Sequence, residues 1–112
     1  MKIAELEQHE KIAFGCLVRM MIRSDGHFSA EEETLLEKIG TEELGHPENL
    51  WHIISLSAAE FPEEKDGRGT VSEVTRPEAR ELILRVLERV AGADEVEASE
   101  AELIDWVRQT WR

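Results

Sequence analysis

The residues of this sequence best suited to chemistry are carboxylates gathered around one predicted turn between two helices. Asp25, Glu31 and Glu32 fall within the stretch Ser24-Asp25-Gly26-His27-Phe28-Ser29-Ala30-Glu31-Glu32. Because Mg²⁺ and Ca²⁺ prefer oxygen ligands, these three carboxylates could gather around a divalent cation near the start of the second helix. Asp25 and Glu32 also fit a structural role, since an Asp suits the end of a turn and a Glu in a first helical turn stabilises the helix.

A weaker copy of this motif lies near the end of the chain, at Ala93-Asp94-Glu95-Val96-Glu97-Ala98-Ser99-Glu100. With one gap after Glu95, Asp94 aligns with Asp25 and Glu100 aligns with Glu32. The apolar positions correspond as well: Phe28 with Val96, Leu35 with Leu103, Leu36 with Ile104 and Ile39 with Val107. The repeat predicts two related helix–loop–helix units.

The helices that must position these motifs follow from the apolar pattern. Helix-forming residues dominate and no stretch alternates with a period of two, so the chain is predicted to be all-α. Capping boxes are expected at Ser29 with Glu32 and at Thr75 with Glu78. A polar loop is expected over residues 62–75. Helices are predicted from about Ile3 to Arg23, Ala30 to Ile39, Pro47 toward Phe61, Thr75 to Gly92 and Ala98 to Trp111.

The length and composition favour one compact domain over residues 1–112, a bundle of five or more helices. The net charge is -12, and twelve acidic residues against two lysines lie between positions 25 and 66. Such a surface repels nucleic acid and attracts cations or a basic protein partner. One cysteine excludes an internal disulfide and favours a reducing cytoplasm. The polar start of the chain and its short apolar runs predict neither a signal peptide nor a membrane span.

Other metal motifs fit this sequence poorly. An EF-hand loop aligned on Gly26 would place Met21 and Arg23 at its first and third positions, where carboxylates are needed. The six-residue spacing of His46 and His52 does not put both on one helix face, and no further ligand completes a zinc set.

Catalytic motifs are also missing. Cys16 lies in an apolar run that is typical of a buried, inert thiol. The sequence has neither a phosphate-binding loop nor a nucleophile elbow. We therefore expect a protein that is not an enzyme. Two alternatives stay open: a small enzyme that uses acidic residues with His27 or His46, and a calcium-responsive switch.

On these residues the chain resembles the TerB-like family of tellurite-resistance proteins. The shared pattern is a buried helix ending in Ala-Asp-Gly, then a hydrophobic residue, Ser or Asp, and a Glu that opens the next helix, repeated in a second half. Residues 24–32 match this pattern, and residues 93–100 match it with Glu95 in place of the glycine and one residue missing. The cation ligands that the resemblance implies are Asp25, Glu32, Asp94 and Glu100.

The expected function follows from this resemblance together with the charge. It is that of a cytoplasmic adaptor in tellurite resistance or a general stress response, whose acidic surface binds Mg²⁺ or Ca²⁺ or a basic protein partner. The pattern indicates no oligomeric state.

Overall fold

A computed structural model describes residues 1–23, 29–92 and 98–112. Within these ranges the chain forms six α-helices and no β-strand, so the predicted all-α bundle is confirmed. A short 3-10 turn at Ile3–Glu5 comes before the first helix. The helices are α1 (Gln8–Arg23), α2 (Ala30–Leu44), α3 (Pro47–Glu60), α4 (Glu64–Val71), α5 (Pro77–Ala91) and α6 (Ala98–Thr110).

Helix α1 is the centre of the bundle. Every residue from Ile12 to Val18 is buried, because α3 and α4 pack along it and α5 and α6 also touch it. The crossing with α3 depends on Gly15, where a Cβ atom would lie 2.9 Å from the Ser57 side chain and 3.0 Å from the Ile53 carbonyl oxygen. A helix that is apolar on nearly every side is thus buried by its neighbours, as its sequence predicts.

The predicted end of the second helix at Ile39 is wrong, because α2 continues through Gly40 to Leu44. A Cβ atom at Gly40 would lie 2.8 Å from the Pro47 Cα atom, so this glycine serves the close packing of α2 on α3. The helix ends instead at Gly45, whose φ of 83° is the left-handed conformation that favours glycine.

The predicted first helix from Ile3 to Arg23 is also wrong at its start. The chain forms the separate 3-10 turn, and α1 begins only at Gln8. The Glu10 carboxylate accepts a hydrogen bond of 2.7 Å from the Glu7 backbone N–H, a bond that fixes the first turn of α1. The turn is anchored in the core by Ile3, which is fully buried.

The predicted loop over residues 62–75 contains α4, although two glycines lie within this helix. Its packing on α1 outweighs the low helix propensity of glycine. A Cβ atom at Gly67 would lie 3.3 Å from the Cys16 Cβ atom, so only a glycine allows this approach without a shift. The capping box expected at Thr75 is absent, because α5 begins one residue later with Arg76 as its N-cap.

The end of α5 and the start of α6 agree with the sequence predictions. Helix α5 ends before Gly92, and α6 begins at Ala98. Trp111, at the end of α6, is 8 % exposed and donates a 2.7 Å hydrogen bond from its indole N–H to the Val71 carbonyl oxygen. This bond docks the terminal helix on the end of α4. The other two tryptophans, Trp51 and Trp106, are half-buried.

Candidate functional site

The first motif is organised around the start of α2. Ser29 is the N-cap, and its hydroxyl accepts a hydrogen bond of 3.1 Å from the Glu32 backbone N–H. In turn, the Glu32 Oε1 atom accepts hydrogen bonds from the Ser29 hydroxyl at 3.1 Å and from the Ser29 backbone N–H at 3.5 Å. The capping box predicted from the sequence is therefore confirmed.

The second carboxylate oxygen of Glu32 is unusual. Glu32 is 4 % exposed, and its Oε2 atom is buried without a hydrogen-bond partner. Among the residues that the structure describes, Oε2 is the one buried side-chain oxygen or nitrogen in this state. An unpaired buried carboxylate oxygen costs free energy, and an oxygen-seeking cation is one group that removes the cost.

The second motif places its glutamate in the same helical position. Glu32 is the third residue of α2 and Glu100 is the third residue of α6, where it is 3 % exposed. Two aligned apolar pairs are buried in both helices: Leu36 and Ile104, and Ile39 and Val107. In the third described pair, Leu103 is buried and Leu35 is half-buried. The repeat inferred from the sequence is thus present as two helix starts that bury a glutamate in equivalent positions.

The two aspartates of the predicted sites, Asp25 and Asp94, lie outside the described residues, as does His27. The described residues therefore include one ligand of each predicted pair. Of the four predicted cation ligands, it describes the two glutamates and buries both.

The structure also brings together a cluster that the sequence analysis did not consider. Glu7, His9 and Glu10 at the start of α1 have ligand atoms within 4.8 Å of one another. Their spacing within four residues on one helical turn is the signal that could have found them. Glu10 in this cluster is already paired, however, because Arg76 forms a bidentate ion pair with this fully buried carboxylate, with one N–O distance of 2.8 Å.

This ion pair has a clear electrostatic signature. The hydrogen bond from the Arg76 guanidinium holds the pKa of Glu10 below its usual value of 4.5, despite the opposing effect of burial. A cation at this cluster would have to displace the guanidinium. We therefore interpret the cluster as a structural connection between α1 and the start of α5.

Two groups that could act in catalysis, His46 and Cys16, are used by the fold. The His46 Nδ1 atom accepts a hydrogen bond of 3.1 Å from the Glu48 backbone N–H and so caps α3. Cys16 is 1 % exposed, and burial raises the pKa of its thiol above 9.0. A neutral, buried thiol is a poor nucleophile.

The EF-hand alternative also conflicts with the observed helices. The residues that would open its loop, Met21 and Arg23, belong to α1. Met21 is fully buried, so it is a core residue and offers no ligand to a cation.

The surface of α2 combines acidic residues with one shallow cleft. The cleft has a volume of about 390 Å³ and is lined by Ala30, Glu31, Thr34, Leu35 and Lys38. Glu31 is exposed here, one residue from the buried Glu32. Carboxylate oxygens thus occur both inside and outside the first turn of α2.

No family model, no curated protein and no solved structure matches this chain. Within the described ranges, none of the helices has the length and the hydrophobicity that a membrane crossing requires. The functional argument therefore depends on the site itself.

Proposed function

We propose that this chain is a non-enzymatic, TerB-like adaptor domain that binds a divalent cation at the start of α2. The observation that carries the proposal is the Glu32 Oε2 atom, which is buried and lacks a hydrogen-bond partner. Because Oε1 already belongs to the capping box, Oε2 is free to ligate a cation without loss of the helix cap. The structural and the metal-binding roles of Glu32 are therefore compatible.

The cation expected here is Mg²⁺ or Ca²⁺. Both are hard ions that take oxygen ligands, and the available donor is a carboxylate oxygen. Asp25 remains the proposed second ligand. Asp94 and Glu100 stay a prediction from the sequence and are not part of the site proposed here. A bound cation would supply charge neutralisation for Glu32 and would stabilise the junction of the first helix–loop–helix unit.

A binding role is favoured over catalysis because three reactive groups in the described residues are used by the fold. His46 caps α3, Cys16 is buried, and Glu10 is paired with Arg76. The net charge of -12 supports a cation or a basic protein as the partner and argues against nucleic acid. We further propose a cytoplasmic role in tellurite or stress responses, on the resemblance of the repeated motif.

Thermal unfolding of the chelator-treated protein, with and without millimolar Ca²⁺ or Mg²⁺, tests this proposal. A cation that binds only the folded state should raise the melting temperature by about 3–8 °C at saturating concentrations. In Glu32→Gln the increase should disappear, whereas the helix should persist because Gln also serves in a capping box.

Glu81→Gln is the matched control, because Glu81 is exposed on α5 and the substitution makes the same change in charge. It should retain the full metal-dependent increase. An equal increase in wild type and Glu32→Gln would contradict the proposed site, and no increase in wild type would leave Glu32 with a capping role alone.

A further inference from the structure

A cleft opens between α4 and α6, which both pack on α1. At its closed end, the hydrogen bond from the Trp111 indole to the Val71 carbonyl oxygen joins the ends of the two helices. At its open end, Glu64 in the first turn of α4 and Ser99 and Glu102 near the start of α6 line one cavity of about 360 Å³. The two helices therefore run side by side in the same direction. We name the cavity the α4–α6 cleft, and its lining residues are Met20, Glu64, Arg68, Ser99, Glu102 and Leu103.

The cleft has an apolar floor and a charged rim. Met20 of α1 and Leu103 of α6 are each 5 % exposed, so they form the floor. Glu64 and Glu102 are exposed and Arg68 is half-buried, so the rim carries charges of both signs. Small-molecule sites combine an apolar surface with a few polar groups, and this volume lies at the lower end of their range.

The guanidinium of Arg68 is positioned by two contacts. Its Nε atom donates a hydrogen bond of 3.2 Å to the Glu64 carboxylate, and its central carbon lies 4.4 Å from the centre of the Trp106 ring. A stacked guanidinium loses little freedom when its other N–H groups bind a carboxylate. The terminal nitrogens of Arg68 form no hydrogen bond with any described residue, so they are available to a ligand.

The facing carboxylate of Glu102 is available as well. Glu102 forms no ion pair within the ranges that the structure describes. A simple anion in the cleft would be repelled by the two glutamates, and a simple cation would be repelled by Arg68. A small ligand that carries both charges avoids both repulsions.

We infer that the α4–α6 cleft binds a free α-amino acid with an apolar side chain. The ligand carboxylate pairs with the terminal N–H groups of Arg68, and the ligand ammonium group pairs with Glu102. The ligand side chain lies on Met20 and Leu103. This site is formed by other helices than the proposed cation site at Glu32, and it extends the adaptor role to the binding of a small molecule.

The test titrates L-leucine into the wild-type chain and follows binding by calorimetry. Saturable binding is expected, with a dissociation constant below about 1 mM. Two analogues of similar shape each lack one charge: isocaproate has no ammonium group, and isoamylamine has no carboxylate. Each analogue should bind at least about tenfold more weakly than leucine, because one charged group of the cleft is then left without its partner.

Variants of the two charged contacts should distinguish the analogues. Glu102→Gln should weaken leucine binding at least about tenfold without weakening isocaproate, which has no ammonium group to lose. Arg68→Gln should weaken leucine to a similar extent without weakening isoamylamine. Circular dichroism checks the fold of Arg68→Gln, which also loses the contact with Trp106. Glu102 is exposed, so its variant keeps the test decisive if Arg68→Gln does not fold.

Glu81→Gln is the matched control, because it makes the same change in charge as Glu102→Gln at an exposed position of α5 outside the cleft. It should keep the leucine affinity within about twofold. The absence of saturable leucine binding to the wild type would overturn the inference, as would equal losses in Glu81→Gln and Glu102→Gln. An analogue that binds as tightly as leucine would also overturn it, because the cleft would then recognise one charge alone. Glu102→Gln leaves Glu32 and Ser29 unchanged, so this titration and the metal titration can fail separately.

Discussion

The two helix–loop–helix units share a sequence repeat but differ in how the bundle covers them. In the first unit, α1 is buried by α3 and α4, and α3 packs on both α1 and α2. In the second unit, α5 and α6 pack directly on each other, and one side of α5 remains exposed at Glu81, Arg85 and Glu88. The repeat therefore determines where the helices begin, and the intervening α3 and α4 determine how deeply the first unit is buried.

The difference extends to the two equivalent glutamates. Glu32 and Glu100 are almost equally buried, but among the described residues only Glu32 has a buried side-chain oxygen without a hydrogen-bond partner. A shared motif thus does not imply a shared chemical state. The first unit is the better candidate for a cation, and the substitutions below test how far the two units differ.

The largest expected effects come from truncating the core of each unit. Leu17 of α1 and Ile83 of α5 are both fully buried, so Leu17→Ala and Ile83→Ala should each lower the free energy of unfolding by about 2–5 kcal/mol. Urea unfolding measures both. Leu84→Ala, at a half-buried position on α5, is the control and should cost less; a loss below about 1 kcal/mol at both core positions would contradict the assigned core.

The second-largest effect on the free energy of unfolding is expected from the Glu10–Arg76 ion pair, which joins the two units. Glu10→Gln leaves Arg76 without its carboxylate partner and should cost about 2–3 kcal/mol at pH 7 in urea unfolding. Glu88→Gln, which removes an exposed pair with Arg108, should cost under about 1 kcal/mol. Equal costs for the two variants would contradict the structural importance of the buried pair.

The same pair predicts a pH dependence. Because the pKa of Glu10 is lower in the folded protein than its usual 4.5, its contribution to stability is present above pH 4.5 and is lost as the pH falls through the folded value. The difference in unfolding free energy between wild type and Glu10→Gln should therefore shrink from pH 7 to pH 3. A difference that is constant over this range would show that Glu10 acts through packing alone.

The close packing of α1 on α3 at Gly15 should not tolerate an added methyl group. Gly15→Ala should destabilise the fold by about 1–3 kcal/mol, because the new Cβ atom would crowd Ser57 and the Ile53 carbonyl oxygen. Gly69→Ala is the matched control on α4, where a Cβ atom meets nothing within 4 Å, and it should be neutral or stabilising. Thermal unfolding ranks the two variants, and an undiminished melting temperature in Gly15→Ala would contradict the close crossing.

Much of the fold follows from local sequence signals. The all-α class, the cap at Ser29, the start of α3 at Pro47 and the end of α5 at Gly92 depend on side-chain types and spacing that act locally. The errors at Gly40 and in α4 share a physical cause. In both places a glycine that resembles a helix breaker instead permits close contact with another helix, and helix propensity does not register such a contact.

The candidate site was predictable only in part. The position of Glu32 in a capping box follows from its spacing to Ser29, but the burial of Oε2 depends on the packing of the bundle. The Glu10–Arg76 pair joins residues 66 positions apart, so no local sequence pattern predicts it. Whether Asp25 and Asp94 complete the cation sites stays a prediction.

Calorimetric titration of Ca²⁺ and Mg²⁺ into the chelator-treated wild type, Glu32→Gln and Glu100→Gln tests the central claim most directly. We predict a heat of binding in the wild type and in Glu100→Gln that is lost in Glu32→Gln, because the unpaired oxygen belongs to the first unit. Equal heats in all three proteins, or a loss confined to Glu100→Gln, would contradict the claim that the cation binds at the start of α2.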